Sequence, residues 1–204
     1  MKYTIEEVDH TNVIFEFEDM PQMELLKEAI LYIADKSQNS PAFGATKVNK
    51  YLYYADLISF ARHGEPITGS PYQHLPNGPA PVKLMQARQA LIDAAAVKVE
   101  ERLYFTRKQS RLVPLKAYQV ERLKQRDREL LDEVMEALGN ANASEVSTAS
   151  HGMAWMTTED GELIPYNSVF LSDDPITADD IHQFFKDSRM SQREPLRFQE
   201  AIPA

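Results

Sequence analysis

The chain contains no cysteine and has only one tryptophan and seven glycines among its 204 residues. Without cysteine, a disulfide framework and a thiolate metal site are both excluded. The sequence also lacks an apolar run long enough to cross a bilayer, and its first residues show no signal-peptide pattern. We therefore expect a cytoplasmic protein that does not associate with membranes.

The overall composition is that of an ordinary globular protein. Hydrophobic residues make up 43% of the chain and charged residues 26%, both typical values. A chain of this length can bury one substantial core and still carry extensions. We expect an N-terminal extension over residues 1–20, one domain over residues 21–187 and a C-terminal tail over residues 188–204.

The net charge of −9 is unevenly distributed. Residues 98–128 contain ten lysines and arginines against four acidic residues, a local charge of +6, so the rest of the chain carries −15. A solvated hairpin and helix face is the simplest interpretation of this segment. The alternative is a docking patch for an acidic partner or for a phosphate backbone. The acidic remainder disfavours a dedicated nucleic-acid-binding protein because it repels phosphates.

The periodicity of the apolar residues predicts a mainly α-helical fold, a compact helical domain with a small antiparallel β element. We predict helices over residues 22–36, from Ala45 or Thr46 to the residue before Gly64, and over residues 82–96. The buried face of the third is expected to be Leu84, Ala87, Leu91 and Ala95. A fourth helix, from Gln119 to Leu138, is expected to be the longest. Gly64 suits a helix end because glycine readily adopts positive φ.

Two capping patterns predict shorter helices. Asn142 with Glu145 resembles a capping box at the start of a helix that reaches Ser150. Thr177 with Asp180 predicts a last helix in the same way.

Short stretches with alternating apolar residues predict the β element. We expect three pieces, over residues 97–99, 103–106 and 111–113, and a second small β element near residues 163–171. Residues 13–17 are apolar enough to form an edge strand.

The segment from Gly64 to Val82 is a long loop that follows the second predicted helix. Prolines fix φ at five positions, and glycines between them allow tight turns. Ordered loops of this length in a compact domain are usually functional.

Two separated blocks of the sequence resemble the Panacea domain, the SocA-like domain shared by many bacterial and phage antitoxins. The first block contains Lys47, Asn49, Lys50, Tyr53, Tyr54, Ala55, Asp56, His63-Gly64, Pro66-Ile67-Thr68-Gly69, Tyr72, Gly78-Pro79 and Pro81. The second block contains Ala143-Ser144-Glu145-Val146-Ser147, Ser150-His151 and Trp155. Val48 stands where the family commonly has leucine. The resemblance covers roughly residues 22–182.

The resemblance implies an antitoxin that neutralises a separately encoded toxin by direct protein–protein binding. It implies a non-enzymatic protein without a cofactor, but it does not name the toxin. The loop and its neighbouring helices would form the scaffold, and residues 1–20 or 98–128 would set partner choice. The residues that we expect to bind the partner or to form the scaffold behind it are Lys47, Asn49, Lys50, Tyr53, Tyr54, Asp56, Pro66, Thr68, Gly69, Tyr72, Gly78, Pro79, His151 and Trp155.

Asp56 admits two interpretations. In the first, Asp56 anchors the loop by accepting backbone N–H bonds while neighbouring tyrosines pack in the core. In the second, Asp56, Thr68, Tyr72 and the Gly78-Pro79 turn line a groove that a partner occupies. We favour the first interpretation.

Five histidines are the first candidates for metal binding or catalysis, namely His10, His63, His74, His151 and His182. None has the spacing of a metal-binding motif, so we predict no metal site. Ser150 and His151 are adjacent, and on a helix adjacent side chains point about 100° apart and do not form a nucleophile–base pair. We expect His151 to make a hydrogen bond near a helix end, with Trp155 packed beside it.

Three other functions stay open. SocA-like members of the family also admit a role as a proteolytic adaptor. The basic segment 98–128 admits a DNA-binding regulator of the protein's own operon, although the acidic remainder opposes it. A hydrolase that uses His151 or His74 is the least favoured alternative. The sequence leaves self-association open.

Overall fold

The structure is a computed structural model that describes residues 21–104, 107–116 and 120–171. The edge strand predicted at residues 13–17 and the helix predicted after Thr177 lie outside these residues. In the part described, six α-helices contain about half of the residues. Their bounds are Pro21–Lys36 (α1), Ala45–His63 (α2), Leu84–Asp93 (α3), Gln125–Gly139 (α4), Ala143–Ala149 (α5) and Met153–Met156 (α6).

Helix α2 lies at the centre of the fold, where it packs against α1, α4 and α5. Twelve of its 19 residues are buried, so the helix is enclosed on most sides, unlike an amphipathic surface helix. Its predicted bounds are confirmed. Gly64 ends the helix with φ of 73°, and its N–H donates to the carbonyl of Phe60.

Helix α4 begins six residues later than the predicted start at Gln119, so α2 and not α4 is the longest described helix. The chain before α4 is held in a non-helical path because the carboxylate of Glu28 accepts the backbone N–H groups of Arg122 and Leu123. Lys124 is extended, and its N–H donates to the side chain of Asp127. These bonds replace the intrahelical ones that the predicted first turns would have made.

Helix α3 is also shorter than predicted. The chain at Pro81 and Val82 still belongs to the loop, where the Val82 N–H donates to the carbonyl of Pro71. At the other end, Ala95 has φ of 48° and is exposed, so the prediction that it lies on the buried face is wrong. The predicted apolar positions Leu84, Ala87 and Leu91 are buried.

The three strand pieces predicted after α3 form two strands of one antiparallel hairpin, β3 (Val97–Tyr104) and β4 (Arg107–Pro114). A second sheet was only partly predicted. Its strands are β1 (Tyr72–Gln73), β2 (Ala80–Pro81) and β5 (Leu163–Ile164), arranged in the order β2-β1-β5 and antiparallel throughout. The predicted β element near residues 163–171 is therefore only two residues long, and a 3-10 helix follows at Tyr166–Leu171.

The prediction of a mainly α-helical fold with a small antiparallel β element is confirmed. The capping box of Asn142 and Glu145 is present at the start of α5. None of the helices in the described ranges combines the length and hydropathy that a bilayer span requires.

Candidate functional site

The 64–82 loop (Gly64–Val82) is attached to the core through Asp56, which lies on α2 and is only 1% exposed. One carboxylate oxygen accepts the backbone N–H of Thr68 at 2.7 Å. The other accepts the hydroxyl of Thr68 and, at 2.7 Å, the hydroxyl of Tyr72. A single side chain thus fixes two points of the loop that lie four residues apart.

Burial raises the pKa of the Asp56 carboxyl to about 6, against the lowering effect of the hydrogen bonds from Thr68 and Tyr72. The carboxylate is therefore costly to bury and depends on these donors to remain charged. Asp56, Thr68 and Tyr72 are each at most 2% exposed. They cannot line an open groove, so the contacts fit the anchoring interpretation.

Lys50 anchors the second half of the loop from nearly two α-helical turns before Asp56. Its ammonium group donates to the carbonyl of Pro79 at 2.9 Å, and the side chain is 1% exposed. Gly78 packs directly above it, with φ of 82°. A Cβ at Gly78 would lie 2.6 Å from Nζ of Lys50 and would also collide with the hydroxyl of Ser150. Only glycine fits this position, because both the backbone conformation and the close approach exclude a side chain.

Lys47, one turn before Lys50, also bonds to backbone carbonyls, but at the end of α4. Its ammonium group donates to the carbonyls of Leu138 and Gly139, at the end of α4, and so satisfies groups that have no partner within that helix. Burial lowers the pKa of Lys47 to about 8 and that of Lys50 to about 7. Both lysines are structural side chains that bond to backbone carbonyls in the interior.

His74, Trp155 and His151 form a three-ring stack beside the loop. The ring centroid of Trp155 lies 4.0 Å from that of His74 on one side and 3.9 Å from that of His151 on the other. The interplanar angles are 27° and 14°. The predicted packing of Trp155 against His151 is therefore present. Because His74 belongs to the loop and Trp155 to α6, the stack joins the two motif blocks.

The loop tip, Leu75–Asn77, is exposed, yet its backbone is held from both sides. The indole N–H of Trp155 donates to the carbonyl of Leu75 at 3.2 Å. The hydroxyl of Ser147 donates to the carbonyl of Asn77 at 2.7 Å. The tip therefore presents its side chains outward from a backbone whose position is fixed.

Ser150 and His151 do not form a nucleophile–base pair. The hydroxyl of Ser150 donates to the carbonyl of Ser147 at 2.7 Å, while the ring of His151 stacks on Trp155. The predicted hydrogen bond of His151 near the helix end is made by its backbone, whose N–H donates to the carbonyl of Thr148. Nε2 of its ring is buried and lacks a partner among the residues that the structure describes. Burial lowers the pKa of His151, and so do the nearby Lys50 and His74.

The other predicted residues surround these anchors. The ring of Tyr53 contacts those of Tyr54 and Tyr72, and all three are buried. Asn49 is half-buried. Gly69 turns the loop with φ of 65° close to the side chain of Gln22, and Pro66 lies beside it, half-buried.

Sequence reasoning missed Tyr166, which completes the Asp56 site. Its hydroxyl donates to the carbonyl of Ser70 at 2.7 Å and lies 3.4 Å from Asp56. No local pattern marks Tyr166, because it reaches Asp56 from 110 residues further along the chain. Ser147 and Leu75 were also not predicted as anchoring points.

The basic segment 98–128 is divided into separate local ion pairs. Lys98 and Arg102 both bind Glu100, and Lys108 binds Glu101. Lys124 and Arg126 both bind Glu65 at the start of the loop. Arg111 is buried and donates to the carbonyls of Ser37 and Gln38. This distribution fits a solvated surface whose charges are partly neutralised by local ion pairs, and it gives no separate support to phosphate binding.

Two clefts of about 410 and 640 Å³ open on the described surface. The first lies between α6 and the 3-10 helix, and the second between the starts of α2 and α5 and the β3–β4 hairpin. None of the predicted site residues lines either cleft. Within the described ranges, no group of three or more histidine, aspartate or glutamate residues is placed to hold a metal ion.

A protein-family model described as "Antitoxin SocA-like, Panacea domain" matches residues 48–156, just over half of the 204 residues. The chain belongs to the Panacea domain family. No curated protein and no solved structure matches the chain. The matched residues include the anchors Lys50 and Asp56, the whole loop and the three-ring stack, whereas Lys47 and Tyr166 lie outside the match. The match therefore covers most of the anchors described above.

Proposed function

We propose that this Panacea-domain protein neutralises a toxin by binding it directly and that the loop tip, Leu75–Asn77, is part of the contact surface. Family membership supports the antitoxin role. The observation that carries the contact surface is the fixed backbone of an exposed tip, which Trp155 and Ser147 hold by hydrogen bonds. A surface that is ordered before binding loses less conformational entropy when it binds.

The motif residues lie in the interior and the loop tip lies at the surface, an arrangement that would allow one motif to serve different partners. The motif residues Lys50, Asp56, Thr68 and Tyr72 are buried and therefore fix the shape of the loop without touching the partner. Leu75 is 37% exposed and lies outside the motif residues that carry the resemblance. The exposed residues can therefore differ between relatives while the scaffold remains the same.

The contacts of the histidines favour binding over hydrolysis. A general base needs a hydrogen bond to the group that it deprotonates. His151 stacks on Trp155, and Ser150 donates to a carbonyl. Nδ1 of His74 lies 3.1 Å from the hydroxyl of Thr158, but that hydroxyl is also placed to donate to the carbonyl of Trp155. Neither histidine is therefore placed to act as a general base that activates a nucleophile.

The experiment is co-expression of the chain with the product of the neighbouring gene in its source genome. Growth, the amount of that product and its co-purification with the tagged chain are measured together. We expect the neighbour to be toxic alone and to be recovered intact in a stable complex when growth is rescued. Rescue with loss of the toxin through proteolysis would show an adaptor instead. A harmless neighbour that does not co-purify would contradict the proposal.

The contact surface is tested with Leu75→Asp, and Met85→Asp is the matched control. Met85 lies on α3 and is 70% exposed, so both substitutions add one charge to an exposed apolar position. We expect Leu75→Asp to abolish rescue and co-purification with an unchanged melting temperature, and Met85→Asp to retain both. Retention of binding by Leu75→Asp would place the contact surface elsewhere.

A further inference from the structure

Strand β3 has an outer edge to which no described residue is paired. It pairs only with β4 in the two-stranded sheet of the described chain. Beyond Val97 its side chains are half-buried or exposed, and two apolar residues on one face, Val99 and Leu103, are 44% and 77% exposed. The hairpin packs against α1 and α3, but a sheet of two strands that leaves these two apolar side chains in water would be stabilised by further strands.

The register of the hairpin shows which backbone groups face this edge. Two residues separate Tyr104 from Arg107, the last pair of the ladder. The carbonyl of Ala96 accepts the N–H of Leu115, so the backbone groups of Ala96 face β4, and this direction alternates along the strand. Alternate residues from Ala96 to Tyr104 therefore use their N–H and C=O groups on β4. The residues whose groups point to the outer edge are Val97, Val99, Glu101 and Leu103.

The sequence of β3 is complementary to itself in one antiparallel register. If the twofold axis that relates two chains passes through Glu101, the Glu101 residues of the two chains lie opposite each other. Their backbone N–H and C=O groups, which point to the outer edge, then face each other. Val99 then lies opposite Leu103 of the second copy, and Glu100 lies opposite Arg102. Because the axis is twofold, each of these pairs occurs twice. Apolar and opposite-charge cross-strand pairs both stabilise a sheet.

Neighbouring registers lack this match. An axis at Glu100 sets the two Glu100 residues against each other and places Lys98 opposite Arg102. An axis at Arg102 sets two arginines against each other. An axis at Val99 pairs Lys98 with Glu100 but leaves Leu103 uncovered. Like charges directly opposite each other destabilise a sheet, so the charges on β3 oppose most registers and favour the one at Glu101.

The favoured register contains one unfavourable pair, the two Glu101 residues at the axis. Lys108 of the same hairpin lies 3.5 Å from Glu101 and offsets that repulsion in each copy. Charged residues on edge strands usually prevent pairing with other chains. On β3 they instead favour one register, in which a closed pair uses the outer edge of β3 in both copies.

We propose that β3 pairs with β3 of a second copy of the chain, with the twofold axis at Glu101. The product is a four-stranded antiparallel sheet in the order β4-β3-β3-β4. Val99 and Leu103 of each copy become covered, and Glu100 of each copy gains an ion pair with Arg102 of the other. The loop tip lies on other elements of the fold, so the proposal does not depend on toxin binding.

The test is sedimentation equilibrium of the full chain over concentrations from about 1 to 200 µM. We expect a monomer–dimer equilibrium that Arg102→Glu and Leu103→Lys each weaken by at least about tenfold. Arg122→Glu, which reverses a charge at an exposed position before α4, should leave the equilibrium unchanged. A wild-type chain that stays monomeric, or a dimer that survives both β3 substitutions, would overturn the proposal.

The register is tested by mixing two variants. Arg102→Glu and Glu100→Arg should each dimerise poorly alone, because each sets like charges opposite each other. An equimolar mixture should form a heterodimer, because every position 100 then faces the opposite charge at position 102. If Glu100→Arg does not fold, the result for Leu103→Lys still decides the proposal. A mixture of folded variants that remains monomeric would contradict the register.

Discussion

The 64–82 loop and the β3–β4 hairpin differ in what holds them in place. The loop contains only four residues in strands, yet buried hydrogen bonds of Asp56 and Lys50 and an exposed one of Trp155 fix it to the core. The hairpin has eight residues in each strand and a continuous ladder, yet Leu103 near its end is 77% exposed. Regular secondary structure and attachment to the core are therefore separate properties in this fold.

The difference follows from the side chains available to each region. The loop is next to α2, which supplies buried carboxylate and ammonium groups, and each of these must be paired because burying it unpaired is costly. The hairpin carries charges that remain in water and pair with one another, and exposed ion pairs contribute little. Substitutions in the loop anchors should therefore cost far more than substitutions of the exposed charged residues in the hairpin.

The largest effect is expected for Asp56→Ala. The change removes the acceptor of three buried hydrogen bonds from Thr68 and Tyr72, so the free energy of unfolding should fall by at least about 3 kcal/mol. Urea unfolding measures the change. The control, Asp160→Ala at an exposed position, should stay within about 0.5 kcal/mol of the wild type. Equal stabilities of the two variants would contradict the anchoring role.

Gly78→Ala should have the next largest effect. The added Cβ would require a left-handed backbone with φ of 82° and would approach Nζ of Lys50 to 2.6 Å. We expect the free energy of unfolding to fall by about 2 kcal/mol, as measured by thermal or urea unfolding. Gly139→Ala is the matched control, because a Cβ there meets nothing within 4 Å. If Gly139→Ala lowers the free energy of unfolding as much as Gly78→Ala does, close packing at Gly78 is not the cause.

The two interior lysines should make stability depend on pH on the alkaline side. Their pKa values are lowered from 10.5 to about 7 for Lys50 and about 8 for Lys47. Above these values the unfolded chain binds more protons than the folded one, so the free energy of unfolding should rise as the pH rises from about 7 to about 9.5. Lys50→Met should reduce this slope. A free energy of unfolding that stays constant or falls over this pH range in the wild type would contradict the lowered pKa values of the two lysines.

The smallest effect is expected in the hairpin. Lys108 and Glu101 form an ion pair at 3.5 Å with side chains 79% and 69% exposed. Lys108→Ala should therefore change the free energy of unfolding by less than about 0.5 kcal/mol. Leu112→Ala in the same hairpin removes a side chain that is only 3% exposed and should cost about 2–3 kcal/mol. Unfolding of both variants under identical conditions checks this contrast.

The sequence predicted the helix ends that depend on interactions between residues close together in the chain. The capping box of Asn142 and Glu145 and the stop at Gly64 involve neighbouring residues, and both are present. The start of α4 was wrong because Glu28, 94 residues before Arg122, binds the backbone that a longer helix would have used. No window of the sequence around α4 contains that information.

The candidate site shows the same limit. The resemblance identified Lys50, Asp56 and the loop, but it could not separate buried anchors from partner-facing residues. That separation depends on Tyr166 and Ser147, which close the site from distant positions. The charge count over residues 98–128 was likewise incomplete, because Glu65, outside that segment, neutralises part of it. Whether the predicted site residues serve a partner remains a prediction.

Native-state hydrogen exchange of individual amides tests the central claim, that buried anchors fix the 64–82 loop, most directly. The amides of Thr68, His74 and Gly78 donate to Asp56, Glu162 and Leu75 respectively. We predict that the Thr68 and His74 amides are protected almost as strongly as the central turns of α2. Exchange of these amides at the rate of an open, solvated loop would contradict the account.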